Sequence, residues 1–63
     1  MTKREREIFQ IVRQLGRAHP RDISERMGIS PDYAEQLCRD MVWLRYFVKR
    51  GQFYEIARTE VQI

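Results

Sequence analysis

Nucleophilic or metal chemistry would have to come from one cysteine and one histidine, Cys38 and His19. A cysteine–histidine pair would need an oxyanion hole and a third group that orients the histidine, and no motif marks either. A structural zinc site takes four ligands, which this inventory cannot supply. We therefore expect no enzymatic activity, metal ion, cofactor or small-molecule ligand. Cys38 is expected to be a small buried residue, and His19, before Pro20, a loop or N-cap residue.

Phosphate recognition is the chemistry that the remaining residue types favour. Ten of the twelve cationic side chains are arginine, and the formal net charge is +3. Guanidinium groups bind phosphate in bidentate fashion, which suits a nucleic-acid ligand, although a GC-rich genome would enrich arginine as well. The charge is uneven: residues 1–29 carry seven cations and four anions, residues 30–46 carry two and three, and residues 47–63 carry three and two. The one net-negative segment is therefore 30–46.

The length of 63 residues predicts a single small domain spanning residues 1–63. A chain of this size buries only about 60% of the surface that its unfolded form exposes. Because one cysteine cannot form an internal disulfide, efficient packing or self-association must provide stability. The N-terminal stretch MTKREREIF is charged, and no apolar run approaches the ~18 residues of a membrane span. We expect a cytoplasmic protein without a membrane partner.

Helix 1 is predicted from about residue 3 to residue 16. Thr2 and Glu5 form a capping-box pattern at its start, and Gly16 is a plausible end. Phe9 lies beside the apolar stripe, where it either widens the core face or contacts a partner. The stripe has helical spacing and consists of Ile8, Ile11, Val12 and Leu15.

Two further helices are predicted, from about 21 to 27 and from 31 to about 45. Gly28 ends helix 2 in the left-handed conformation, and Ser30 followed by Pro31 starts helix 3 as N-cap and first helical residue. The inward positions of helix 3 are Ala34, Leu37, Cys38, Met41 and Arg45. The opposite side carries Asp32, Gln36, Arg39 and Trp43.

A hairpin is predicted over about 47–57. The strands 47–49 and 53–57 contain aromatic and β-branched residues, and they flank a turn in which Gly51 supplies the positive φ. The last six residues, RTEVQI, either extend the second strand or trail off.

The order of elements resembles that of the winged helix-turn-helix DNA-binding domain superfamily. The segment DISERMGISPDYAEQLCRDM resembles the superfamily's turn pattern, and VKRGQFYEI lies where its wing is found. The resemblance covers roughly residues 5–57. The positions that carry it are Ile23, Ser24, Gly28, Ile29 and Ser30. It implies an α+β, mostly α fold, with three helices and a C-terminal two-stranded hairpin wing. This superfold serves DNA readers, RNA binders and protein-interaction modules.

Similarity to the DNA-binding members implies a small transcriptional regulator that acts as a homodimer. Its helix 3 would enter the major groove of duplex DNA. By residue type, Gln36 suits adenine and Arg39 suits guanine. The implied contacts with phosphate or sugar come from Arg21, Ser30, Tyr33, Lys49 and Arg50. Lys49 and Arg50 have an alternative role, because cations at a sheet edge protect it from aggregation.

Acidic residues on helix 3 oppose this interpretation, because they would lie close to phosphates in a docked complex. They are Asp32, Glu35 and Asp40. Trp43 is open to two interpretations: it packs beneath the hairpin with Phe53 or Tyr54, or it belongs to a partner surface, where tryptophan is enriched. The alternative function is therefore a protein-interaction module that uses Trp43 and the acidic face of helix 3.

Overall fold

Three helices and a three-stranded antiparallel sheet form an α+β fold that is mostly helical, as predicted. The structure is a computed structural model, and it describes residues 1–58. In chain order the elements are α1 (Lys3–Leu15), β1 (Arg17–Ala18), α2 (Pro20–Met27), α3 (Pro31–Trp43), β2 (Phe47–Arg50) and β3 (Phe53–Ile56).

Side-chain caps start all three helices. The Thr2 hydroxyl accepts the Glu5 amide proton at 3.1 Å, and the Glu5 carboxylate accepts that of Thr2 at 2.9 Å, which confirms the capping box. Ser30 accepts the amide proton of Tyr33 at 3.1 Å. His19 caps α2 by accepting the Arg21 amide proton on Nδ1, at 3.1 Å. Because proline suits the first helical position, α2 begins at residue 20, one residue earlier than predicted.

The end of α3 differs from the prediction. The helix stops at Trp43, and Arg45 takes a left-handed φ of 70° instead of continuing inward. The amide of Arg45 donates to the Val42 carbonyl at 2.9 Å, and that of Tyr46 donates to the Met41 carbonyl at 2.8 Å. These two bonds make a Schellman turn, in which Arg45 holds the place that glycine usually takes. Arg45 is therefore exposed, and the prediction that it faces the core is wrong.

The central strand of the sheet is β3, with β1 on one side and β2 on the other. Tyr54 lies opposite both Ala18 of β1 and Lys49 of β2. The β2–β3 hairpin turns at Gly51, whose φ is 62°, as predicted. β1 was not predicted, because its two residues carry no strand pattern of their own. The prediction for RTEVQI falls mostly on residues 59–63, outside the described residues.

A single core joins the helices to the sheet. Phe9 is half-buried against it, with its ring 6.2 Å from that of Tyr46 and 6.3 Å from that of Phe47. Phe9 therefore widens the core face, the first of its two interpretations. The buried hydrophobic residues are Ile8, Val12, Ala18, Ile23, Ala34, Leu37, Cys38, Met41, Phe47 and Tyr54.

The buried thiol of Cys38 should make the folded protein less stable at alkaline pH. Its burial, together with the charge of Glu35, raises the pKa of the thiol from 9.0 to about 12. Above pH 9 the unfolded chain therefore loses this proton while the folded chain keeps it, so the free energy of unfolding falls as pH rises. Urea unfolding at pH 8 and at about pH 10.5 measures the fall in the free energy of unfolding between the two pH values. This fall should be about 1–2 kcal/mol larger for the wild type than for Cys38→Ala. Equal losses in the two proteins would contradict the assignment.

Candidate nucleic-acid interface

The outward face of α3 is the surface that the sequence singles out for recognition. Asp32, Gln36, Arg39 and Trp43 are all exposed, as the helical spacing predicts. The buried residues of α3 are Ala34, Leu37, Cys38 and Met41, on the opposite side. The inward stripe fixes the rotation of the helix, and this leaves the four polar and aromatic side chains in one row in solvent.

Each of the two predicted base readers is paired with an acid of the same helix. The Gln36 Nε2 amide donates to Asp40 Oδ1 at 3.1 Å, and Arg39 Nη2 lies 3.7 Å from Glu35 Oε2. The side chains of the ion pair are 66% and 42% exposed, so the pair contributes only about 0–1 kcal/mol to stability. Such contacts orient Gln36 and Arg39 in the free protein and are weak enough to be exchanged for a ligand.

A cleft of about 270 Å³ lies where the start of α2, the first turns of α3 and the hairpin meet. It brings together two cations that are far apart in the sequence, Arg21 and Lys49. The Lys49 ammonium lies 5.8 Å from the centre of the Tyr54 ring, a cation–π distance. Asp32 and Glu35 also line the cleft, so its charged side chains sum to zero.

Lys49 and Arg50 do not act as one pair, because successive side chains of a strand point to opposite faces. Lys49 shares the face of its partner Tyr54 and reaches the cleft, whereas Arg50 lies on the other face. There the Arg50 Nε atom is 3.2 Å from Glu55 Oε1. Of the other predicted phosphate contacts, Tyr33 is 42% exposed and available, and Ser30 is occupied as a helix cap.

Trp43 is 83% exposed, so the interpretation that it packs beneath the hairpin is wrong. The reason is the early end of α3. The Schellman turn directs Phe47 into the core, while Trp43 stays in the outward row of the helix. Leu44 beside it is 45% exposed, so the C-terminal end of α3 presents two large apolar side chains to solvent.

The Tyr54 hydroxyl is a feature that the sequence analysis missed. Tyr54 is 1% exposed, and its hydroxyl oxygen is buried without a hydrogen-bond partner among residues 1–58. Burial, followed by the charges of Cys38 and Glu35, raises the pKa of this hydroxyl. The sequence carries no signal for it, because a tyrosine on a strand reveals neither its burial nor the neighbours of its oxygen.

Comparisons with known proteins add no assignment, since no family model, curated protein or solved structure matches the chain. Among residues 1–58, no helix combines the length and the apolar composition that crossing a bilayer requires. The same residues include no group of three or more histidine, cysteine, aspartate or glutamate side chains placed to hold a metal ion. The order and pairing of the elements are compatible with a winged helix layout.

The variant Tyr54→Phe should raise the free energy of unfolding by about 1 kcal/mol, because it removes a buried hydroxyl that makes no hydrogen bond. Chemical denaturation of the two proteins measures the difference. Tyr46→Phe is the matched control: Tyr46 is only half-buried, and its variant should stay within about 0.5 kcal/mol of the wild type. A loss of stability in Tyr54→Phe would mean that the hydroxyl is bonded after all.

Proposed function

We propose that the protein is a member of the winged helix superfamily that binds duplex DNA through α3 and the hairpin, as a small transcriptional regulator. The observation that carries the proposal is the arrangement around the cleft. Arg21 and Lys49, which come from two other elements, line this cleft with Asp32, the first member of the exposed row on α3. Cations for the backbone thus lie at the N-terminal end of the helix whose outward row carries hydrogen-bonding side chains for base edges.

The dimensions of DNA explain why this arrangement suits a duplex. An α-helix fits the major groove, and a sugar–phosphate strand separates that groove from the minor groove. If α3 lies in the major groove and the hairpin contacts the neighbouring groove, this strand passes over the cleft between them. Arg21 and Lys49 then meet its phosphates, while Gln36 and Arg39 exchange their acid partners for adenine and guanine.

The acids on α3 limit the affinity of this surface. Asp32, Glu35 and Asp40 oppose Arg39, so α3 carries a net charge of −2 over its own length. With Arg39 assigned to a base, two cations, Arg21 and Lys49, remain to contact phosphates. A single module with so few phosphate contacts binds weakly at physiological salt, and dimerisation on adjacent half-sites would raise its affinity.

Fluorescence anisotropy with duplex DNA tests the proposal. The logarithm of the affinity should fall linearly with the logarithm of the salt concentration. Lys49→Gln should make the slope of this line shallower by about 1, because one phosphate contact is lost. Lys3→Gln, in the first turn of α1, is the charge-matched control and should leave the slope unchanged. The pair Gln36→Ala and Arg39→Ala should reduce the preference for a selected sequence over random DNA. No binding at about 50 mM salt by folded protein would refute the proposal.

The exposed apolar end of α3 favours a second candidate, a protein-interaction module. Trp43 and Leu44 adjoin a helix with three acidic side chains. Tryptophan is enriched among the residues that dominate binding energy at protein interfaces, and contiguous exposed apolar surface marks such sites. In this candidate function the same row of α3 contacts a protein, which can be a second copy of the chain.

Sedimentation equilibrium tests whether the partner is a second copy of the chain. If Trp43 mediates this self-association, the wild type should show an average mass above that of the monomer at about 100 µM, and Trp43→Ala should be monomeric. Tyr33→Ala removes another exposed aromatic side chain of α3 and should keep the wild-type mass. Identical masses for the wild type and Trp43→Ala would exclude self-association through this residue.

A further inference from the structure

Four arginines lie around Glu55: two are on the outer face of the sheet, one is at the end of α1 and one follows β3. Arg17 lies directly opposite Glu55 in the β1–β3 pairing, and the Arg50 Nε atom lies 3.2 Å from Glu55 Oε1. Arg58 and Glu55 line two shallow clefts together, one shared with Arg50 and the other with Arg13 from the end of α1. We call Arg13, Arg17, Arg50 and Arg58 the arginine surface.

Strand alternation explains why these side chains gather. Ala18 and Tyr54 point into the core, so their neighbours Arg17 and Glu55 must point outward. Arg50 shares this outer face because its neighbour Lys49 is opposite Tyr54. All four arginines are exposed.

The charge of the arginine surface matches the net charge of the whole sequence. Four guanidinium groups against Glu55 leave +3, which equals the formal net charge of all 63 residues. All other charged residues therefore sum to zero, and α3 carries −2. Guanidinium groups stay charged at any physiological pH. Arg17 also shares a cleft with Asp22, Glu25 and Arg26. With these three residues included, the surface carries +2, and this charge is available to an external anion.

We propose that the arginine surface is a second nucleic-acid-binding surface, which contacts sugar–phosphate backbone irrespective of sequence. It goes beyond recognition through α3, because none of its four arginines lines the cleft, and Arg50 lies on the opposite face of the hairpin from Lys49. A concentrated field of one sign attracts a polyanion and speeds its association.

The residue types favour phosphate over an acidic protein. All four cations are arginine, whose planar fork matches phosphate oxygens in bidentate fashion. The apolar side chains at this surface are partly covered. Phe9, Val48 and Ile56, which line its two clefts, are half-buried. Phe53 is 37% exposed, and the Arg17 guanidinium lies over its ring at 5.0 Å. Interfaces between proteins usually depend on a buried aromatic or apolar centre.

The test compares two triple variants with the same loss of charge. Arg17, Arg50 and Arg58 are changed to Gln in one protein, and Lys3, Arg4 and Arg6, all in the first turns of α1, in the other. Affinity for duplex and for single-stranded DNA is measured by anisotropy between about 50 and 200 mM salt. The arginine-surface triple should make the slope of log affinity against log salt shallower by about 2–3 on duplex DNA, since each phosphate contact contributes about 0.9. The control triple should change it by less than about 1.

Two outcomes of this comparison would overturn the proposal. The first is an unchanged slope in the arginine-surface triple. The second is an equal change in both triples, which would show an effect of net charge alone. Replacing the same three arginines with Lys keeps the charge and should keep most of the slope. A loss as large as that with Gln would point to damaged folding instead, and it would also count against the proposal.

Two further measurements separate this proposal from recognition through α3. The variant with Gln36→Ala, Arg39→Ala and Lys49→Gln should lose sequence preference and keep most of its salt-dependent binding. Binding that survives in this variant and is lost in the arginine-surface triple supports the arginine surface, even if no sequence preference is found for the wild type. Polyglutamate is added as a competitor. If it displaces DNA as well as unlabelled DNA does at equal charge, the surface recognises acidic polypeptide, and the proposal fails.

Discussion

The packing of Phe47 and Tyr54 against the helices is the interaction on which the rest of the structure depends. These are the two largest fully buried side chains, and both come from the hairpin. Without them, the inward stripes of α1 and α3 would lack a cover. Since β3 also pairs with β1, which leads directly into α2, the hairpin is tied to the helices at both of its edges. The cleft between α3 and the hairpin thus has walls that the core holds in place.

The same core requirement sorts the charges of the chain. Inward positions are taken by apolar side chains, so the charged side chains of residues 1–58 lie outside the core. The result is an acidic face on α3 and a basic surface around the sheet, and the residues outside both carry a formal charge of +2. In the proposed DNA-binding function, a polyanion would be attracted first to the sheet, whereas the proposed base readers lie on α3. That function would divide attraction and discrimination between two elements.

Local signals made most of the helices predictable. Thr2, Ser30, Gly16 and Gly28 mark helix ends through their own hydrogen bonds or backbone conformation, which depend on a few neighbouring residues. What the sequence did not reveal depends on distant partners. β1 is two residues long and exists only because β3 pairs with it. That the hairpin leaves Trp43 uncovered and isolates the Tyr54 hydroxyl depends on where the hairpin packs, which no local pattern encodes. The separation of Lys49 from Arg50, in contrast, follows from strand alternation and was within reach of the sequence.

Arg45 has a consequence for how this fold can change over evolutionary time. A left-handed conformation costs a residue other than glycine about 1–2 kcal/mol, which is a large fraction of the roughly 5–15 kcal/mol that keeps a typical domain folded. In a chain with such a residue at a Schellman turn, a single substitution at that position could make the fold more stable. That reserve would let the outward row of α3 accept destabilising changes, so new recognition properties could be acquired without loss of the fold.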